Sequence, residues 1–142
     1  MKVVKYCFVV VMMALAMPCM AQVVTDEDGF QSFISVENGD TFAMRQYFMV
    51  FLEDGPNRNQ KTEDAAKIQE GHMNHLDSLA RAGKISIVGP FGDDASPRGI
   101  AIYTVPTLEE ARTLAEMDPA VKAGRLKVTV RPLWAGRGST LP

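Results

Sequence analysis

Cysteine is missing from most of this 142-residue chain. Its two cysteines, Cys7 and Cys19, both lie within the first 21 residues. Residues 22–142 therefore have no disulfide framework, cysteine nucleophile or cysteine-ligated metal site. An excess of positive charge is also missing, since 15 Lys and Arg residues stand against 17 Asp and Glu residues. This balance argues against a general nucleic-acid binder, and the length fits one domain.

A long apolar run occurs near the N-terminus, from Cys7 to Met17. Lys2 and Lys5 precede this run, and it ends close to small residues suited to a signal peptidase. That order is typical of a secretory signal peptide, and the run is short for the roughly 20 residues needed to span a bilayer. A retained membrane helix is the alternative. We expect residues 1–21 to be removed before Gln22, leaving a periplasmic or secreted protein with no membrane association.

The segment after the signal is acidic and rich in turn residues, but it also carries phenylalanine, isoleucine and valine. Because a free linker rarely carries so much apolar surface, we expect residues 22–45 to form an extended arm packed on the domain. The pair Asn38-Gly39 suggests a hairpin turn within it. The domain itself is predicted to span residues 46–134, and the Gly-containing residues 135–142 are predicted to form a flexible tail.

The domain shows four strand patterns and two main helix patterns, in the order βαββαβ. Tyr47–Leu52 is a continuous apolar run, and Ile100–Val105 is apolar except at Thr104, as expected for central strands. Ile85–Val88 and Leu126–Leu133 suit edge strands. The predicted fold is α+β and ferredoxin-like, with a four-stranded antiparallel sheet and the helices on one face. Two helices cover only one face, so a second subunit or the arm must cover the other. We expect a homodimer.

Three residue patterns set the predicted helix limits. Thr62 is a candidate N-cap for the first helix, which is expected to stop at Gly83. Thr107 and Glu110 have the spacing of a capping box, in which each side chain accepts a hydrogen bond from the other residue's backbone. Asp118 before a proline predicts the cap of a short helical turn.

The chain has two histidines, and both lie on the first predicted helix. His72 falls four residues after Ile68 and four before Leu76, which places it on the stripe facing the sheet. A half-buried structural histidine is one interpretation, and a proton-transferring group is the other. Asp118 is adequately explained as a helix cap. It is also placed to reach His72 and to fix the tautomer of the imidazole.

The sequence gives weaker support to the other candidate site residues. His75 lies one turn from His72 and would line the same cleft or face solvent. A metal site formed by His72, His75 and Asp118 is an alternative, but a third strong ligand at fixed spacing is missing, so we expect no metal and no cofactor. Asp93 and Arg98 are candidates for contact with a ligand, and a solvated role is the alternative for both.

Several short motifs occur in a characteristic order across residues 46–134. They are Gly71-His72, Leu76, Leu79, Gly83-Lys84-Ile85, Gly89-Pro90-Phe91-Gly92-Asp93 and Asp118-Pro119-Ala120-Val121-Lys122-Ala123-Gly124. In these residues the chain resembles the YCII-related domain family, the YciI-like proteins. The resemblance implies a dimeric α+β barrel of ferredoxin-like units, similar to muconolactone isomerases. It also implies an active-site pair at His72 and Asp118, and one type of relative is a dehydrochlorinase of chlorinated hydroxyquinols. The export signal departs from the usual members.

These observations lead to a functional expectation with an alternative. The first hypothesis is an exported lyase or isomerase in which His72 moves a proton on a small cyclic or carbonyl-bearing molecule and Asp118 orients it. The alternative is a non-catalytic protein, either a small-molecule-binding module or a structural dimer in which the two side chains satisfy each other.

Overall fold

The computed structural model describes residues 22–142, and the predicted signal segment 1–21 lies outside the described residues. The strands are β1 (Val24–Thr25), β2 (Gln31–Glu37), β3 (Asp40–Asp54), β4 (Ile85–Pro90), β5 (Gly99–Tyr103) and β6 (Leu126–Gly136). The helices are α1 (Thr62–Arg81), α2 (Leu108–Glu116) and α3 (Pro119–Lys122). None of these helices is both long enough and apolar enough to cross a membrane.

The four strands of the domain form an antiparallel sheet in the order β4-β5-β3-β6. Strands β3 and β5, which contain the two apolar runs, occupy the centre of this order. A central strand needs apolar side chains because it has a strand on each side and helices packed on one face, so it has little contact with solvent. The predicted α+β, ferredoxin-like fold is confirmed.

The sheet has six strands rather than the predicted four, because the arm contributes β1 and β2. Asn38 and Gly39 form the hairpin turn between β2 and β3, both with positive φ (54° and 90°). Strand β3 therefore begins at Asp40, seven residues before the apolar run that predicts it, and its first part pairs with β2. Strand β6 extends to Gly136, past the predicted domain end at residue 134.

Aromatic and ionic contacts hold the arm on the domain. The ring of Phe33 meets that of Trp134 edge to face, with centroids 4.9 Å apart. The guanidinium of Arg45 lies 3.8 Å above the ring of Phe30, and its Nη2 is 3.3 Å from a carboxylate oxygen of Asp26. These contacts tie residues 26–33 to β3 and β6.

The core lies between the helices and one face of the sheet. Leu76 and Leu79 of α1, with two alanines of α2, pack against Phe48 and Val50 of β3. Alternate residues of β3 and β5, including Met49, point to the opposite face and are partly exposed. In the described part of the chain, no helix covers that second face.

The helix caps agree only in part with the predictions. Thr107 Oγ1 accepts from the backbone N–H of Glu110 at 3.1 Å, but the carboxylate of Glu110 does not complete the predicted box. It accepts instead from Nζ of Lys84 at 2.9 Å, because a cation is a stronger partner than a backbone amide. The predicted cap at Thr62 is wrong: Thr62 is the first helical residue, and Lys61 precedes it without a side-chain cap.

Candidate functional site

Helices α1 and α3 meet at a glycine. A Cβ atom at Gly71 would lie 3.2 Å from the ring of Pro119, so any other residue at this position would require the ring to shift slightly. Because Gly71 and Pro119 stand directly beside His72 and Asp118 in sequence, this close approach brings the imidazole and the carboxylate together.

His72 and Asp118 form a buried pair. Nδ1 of His72 lies 2.6 Å from Oδ2 of Asp118, and the two residues are 8% and 2% exposed. The other carboxylate oxygen, Oδ1, accepts from the backbone N–H of Ala120 at 2.8 Å and caps α3. An ionised carboxylate can only accept, so Nδ1 of His72 carries the proton and donates it. Asp118 thus caps a helix and orients a histidine at the same time.

The second ring nitrogen of His72 faces a cavity. Nε2 makes no hydrogen bond with any residue in the range 22–142, and the atom keeps some solvent accessibility. It is therefore open to the cavity that His72 lines. With the proton on Nδ1, the lone pair of Nε2 is available to accept a proton from a bound molecule.

The cavity has a volume of about 610 Å³, within the range typical of small-molecule sites. It lies between α1, the paired ends of β4 and β5, and the turn that joins α3 to β6. Most of its wall is apolar or glycine: Leu52, Met73, Leu76, Ala80, Val88, Gly89, Pro90, Gly99, Ala120 and Leu126.

Arg58, Arg98 and Arg125 also line the cavity. The Oδ1 atom of Asp54 lies 2.7 Å from Nη1 of Arg58 and 3.3 Å from Nε of Arg98. This oxygen is buried, and neither contact has the angles of a good hydrogen bond, so its contacts are mainly ionic. One carboxylate thus holds two of the three arginines.

The loop carrying Arg58 is fastened by its backbone to the turn carrying Arg125. The N–H of Gly55 donates to the carbonyl of Arg125 at 3.0 Å, and that of Asn57 donates to the carbonyl of Gly124 at 2.8 Å. A Cβ atom at Gly55 would lie 2.2 Å from the latter oxygen, so this approach requires glycine. We call these two hydrogen bonds the backbone latch.

The charge of Asp118 also acts on Tyr103, a buried residue of β5. Burial first, and then the negative charge of Asp118, raise the pKa of Tyr103 well above its usual range.

Two predicted pocket residues lie elsewhere. His75 does not line the cavity, because the turn of the helix directs it towards α2, where its Nε2 donates to the carbonyl of Leu114 at 2.9 Å. Asp93 is exposed, and its Oδ1 accepts from the N–H of Ala95 at 3.3 Å. Arg98, in contrast, does line the cavity. The alternative metal site is not assembled, since within residues 22–142 no three candidate ligands cluster.

The sequence did not single out Arg58, Arg125 or Asp54 as site residues. Arg58 lies in a polar loop and Arg125 follows a helix-ending glycine. Arginines at such places are commonly solvated, and no periodic pattern sets them apart. Of these two arginines, only Arg125 stands next to a glycine, Gly124, and that neighbour does not by itself indicate a ligand site.

No curated protein matches the chain. Among solved structures, the chain is similar to 5-chloro-2-hydroxyhydroquinone dehydrochlorinase from Burkholderia phenoliruptrix, solved in complex with 2,5-dihydroxybenzoquinone. The two are 22% identical, the match covers 60% of this chain and 90% of that one, and the TM-score is 0.46. The family model of the YCII-related domain matches residues 46–134, which is more than half of the chain, and the protein therefore belongs to the YCII-related domain family.

Proposed function

We propose that the protein is a small lyase or isomerase in which Nε2 of His72 takes a proton from a cyclic or carbonyl-bearing molecule bound in the cavity. The supporting observation is the pair itself: a buried carboxylate holds Nδ1, and the opposite nitrogen is open to a cavity of ligand size. A carboxylate in this position fixes the tautomer and stabilises the imidazolium that forms when a proton is taken up.

The proton then has two destinations. In an isomerisation, His72 returns it to a different atom of the same molecule, and in an elimination it leaves with the departing group. Both reactions need one base with an orienting partner and a site sheltered from water. The non-catalytic alternative uses the same cavity but needs no proton transfer, so the two hypotheses separate on turnover rather than on binding.

The histidines provide a matched test of the reaction. His72→Gln removes the base, and turnover of small cyclic and carbonyl-bearing substrates should fall about 10²–10⁴-fold. His75→Gln makes the same chemical change one turn away and should leave turnover close to that of the wild type, since glutamine can still donate to a carbonyl. Turnover should be followed across a substrate panel by absorbance or proton NMR. Equal turnover in His72→Gln and the wild type would contradict catalysis by His72.

We also propose that the protein is a homodimer joined through the uncovered face of the sheet. Met49 and Phe51 on β3 oppose Ile102 and Ile100 on β5, and all four side chains are partly exposed on the face without helices. The arm does not form a separate layer over this face, because β1 and β2 pair within the same sheet. An apolar area of this kind is typically buried by a second subunit.

We propose that the protein works outside the cytoplasm, on the strength of the signal pattern in residues 1–21. Mass spectrometry of the chain recovered from its producing cells should find an N-terminus at Gln22 in the exported fraction. A chain that keeps Met1 and remains in the cytosolic fraction would overturn this proposal.

A further inference from the structure

The cavity carries an unbalanced positive charge. Three arginines line it; the carboxylate of Asp54 is shared between Arg58 and Arg98, and the exposed carboxylate of Asp94 lies 3.9 Å from Nη1 of Arg98. The acidic residue of the cavity wall, Asp77, is itself paired with Arg81 at 2.8 Å. Within residues 22–142, Arg125 forms no salt bridge, and its Nη1 donates to the neutral Oε1 of Gln60 at 3.1 Å.

The arginines are held in place before any ligand binds. Nη1 of Arg98 donates to the carbonyl of Asp94 at 2.6 Å, and Nη1 of Arg58 donates to the carbonyl of Arg125 at 3.1 Å. The backbone latch fixes the segments that carry Arg58 and Arg125. A guanidinium that is already ordered loses little entropy on binding an anion, and its planar fork matches a carboxylate.

The rest of the cavity wall favours apolar rather than charged groups of a ligand. Around His72 it is formed by apolar side chains, including Leu76, Ala80 and Leu126, which favour the apolar part of a ligand. A ligand that suits both regions has a compact apolar body and one anionic end.

We propose that the substrate carries a carboxylate, which the arginine cluster of Arg58, Arg98 and Arg125 binds while the apolar part of the molecule lies beside Nε2 of His72. The assignment of the reacting end rests on the proposed function. The assignment of the anionic end rests on the charges of the cavity alone. Arg125 is best placed to bind the carboxylate, because it has no carboxylate partner within residues 22–142.

Benzoate and benzamide are suitable probes, because they have nearly the same shape and differ in charge. Calorimetric or NMR titration of the wild type should find benzoate bound at least about tenfold more tightly, as expected for one charge-assisted contact. Arg125→Gln should reduce this preference, and the remainder should come from Arg58 and Arg98. Arg112→Gln, which removes the same charge from α2 outside the cavity wall, should leave the preference unchanged.

Benzamide binding as tightly as benzoate, or no detectable benzoate binding, would overturn the proposed substrate class. A preference that is undiminished in Arg125→Gln would do the same. His72→Gln should keep the benzoate preference while losing turnover. If the wild type shows no preference for benzoate over benzamide but its turnover depends on His72, the carboxylate substrate is rejected and the proposed reaction is retained. If the wild type prefers benzoate but its turnover does not depend on His72, only the proposed reaction is rejected.

Discussion

Asp118→Asn is expected to lower turnover about 10³–10⁴-fold while leaving the fold in place. Asparagine keeps an oxygen that can accept from Ala120 and cap α3. Its other group is an NH₂, which can only donate, so it forces Nδ1 of His72 to accept. The imidazole proton then moves to Nε2, and the nitrogen that faces the cavity can no longer take a proton from a ligand.

The tautomer can be measured without a substrate. Nitrogen-15 NMR of histidine-labelled protein should report the proton on Nδ1 of His72 in the wild type and on Nε2 in Asp118→Asn. Asp77→Asn is the matched control, because it makes the same change on the cavity wall without contacting His72. A wild-type tautomer together with wild-type turnover in Asp118→Asn would show that Asp118 is a helix cap and nothing more.

The wild-type protein is expected to sediment at twice the mass of a single chain at micromolar concentration. Phe51→Glu should shift it to a monomer, raising the dissociation constant at least about 100-fold, because the interface would bury a charge without a partner. Met73→Glu places the same charge on α1 in the opposite layer, at a side chain that is 54% exposed, and should leave the dimer intact.

Circular dichroism would show whether Phe51→Glu remains folded, and Ile102→Lys tests the same face from β5. A wild-type protein that sediments as a monomer at these concentrations would rule out the sheet-to-sheet dimer. The partly exposed β3 and β5 side chains would then be an ordinary surface of the isolated chain.

The sequence was sufficient to predict the order of the domain's strands and helices, because burial leaves a strong signal. Strands between two neighbours need apolar side chains on both faces, and the runs at Tyr47–Leu52 and Ile100–Val105 have them. The arm strands were not predicted as part of the sheet. Ser32, Ser35 and Thr41 interrupt their alternation, and edge strands tolerate such residues because one side faces water.

The site could be predicted only where residue type and helical spacing coincide. His72 lies on the buried stripe of α1, and Asp118 has the position of a cap, so both could be named before any contact was known. The roles of Arg58 and Arg125 depend on a contact between segments about 65 residues apart. Local pattern does not encode such a contact, and the hydrogen bonds that create it come from the backbone.

The backbone latch between Gly55 and the turn after α3 has a consequence for divergence within the family. Its hydrogen bonds use main-chain atoms, so an exchange of the side chain at position 58 or 125 leaves both of them in place. The side chain of Arg58 adds a separate hydrogen bond, from its Nη1 to the carbonyl of Arg125, which such an exchange would remove. A relative with the same glycine can form the same two main-chain hydrogen bonds with other side chains at those two positions.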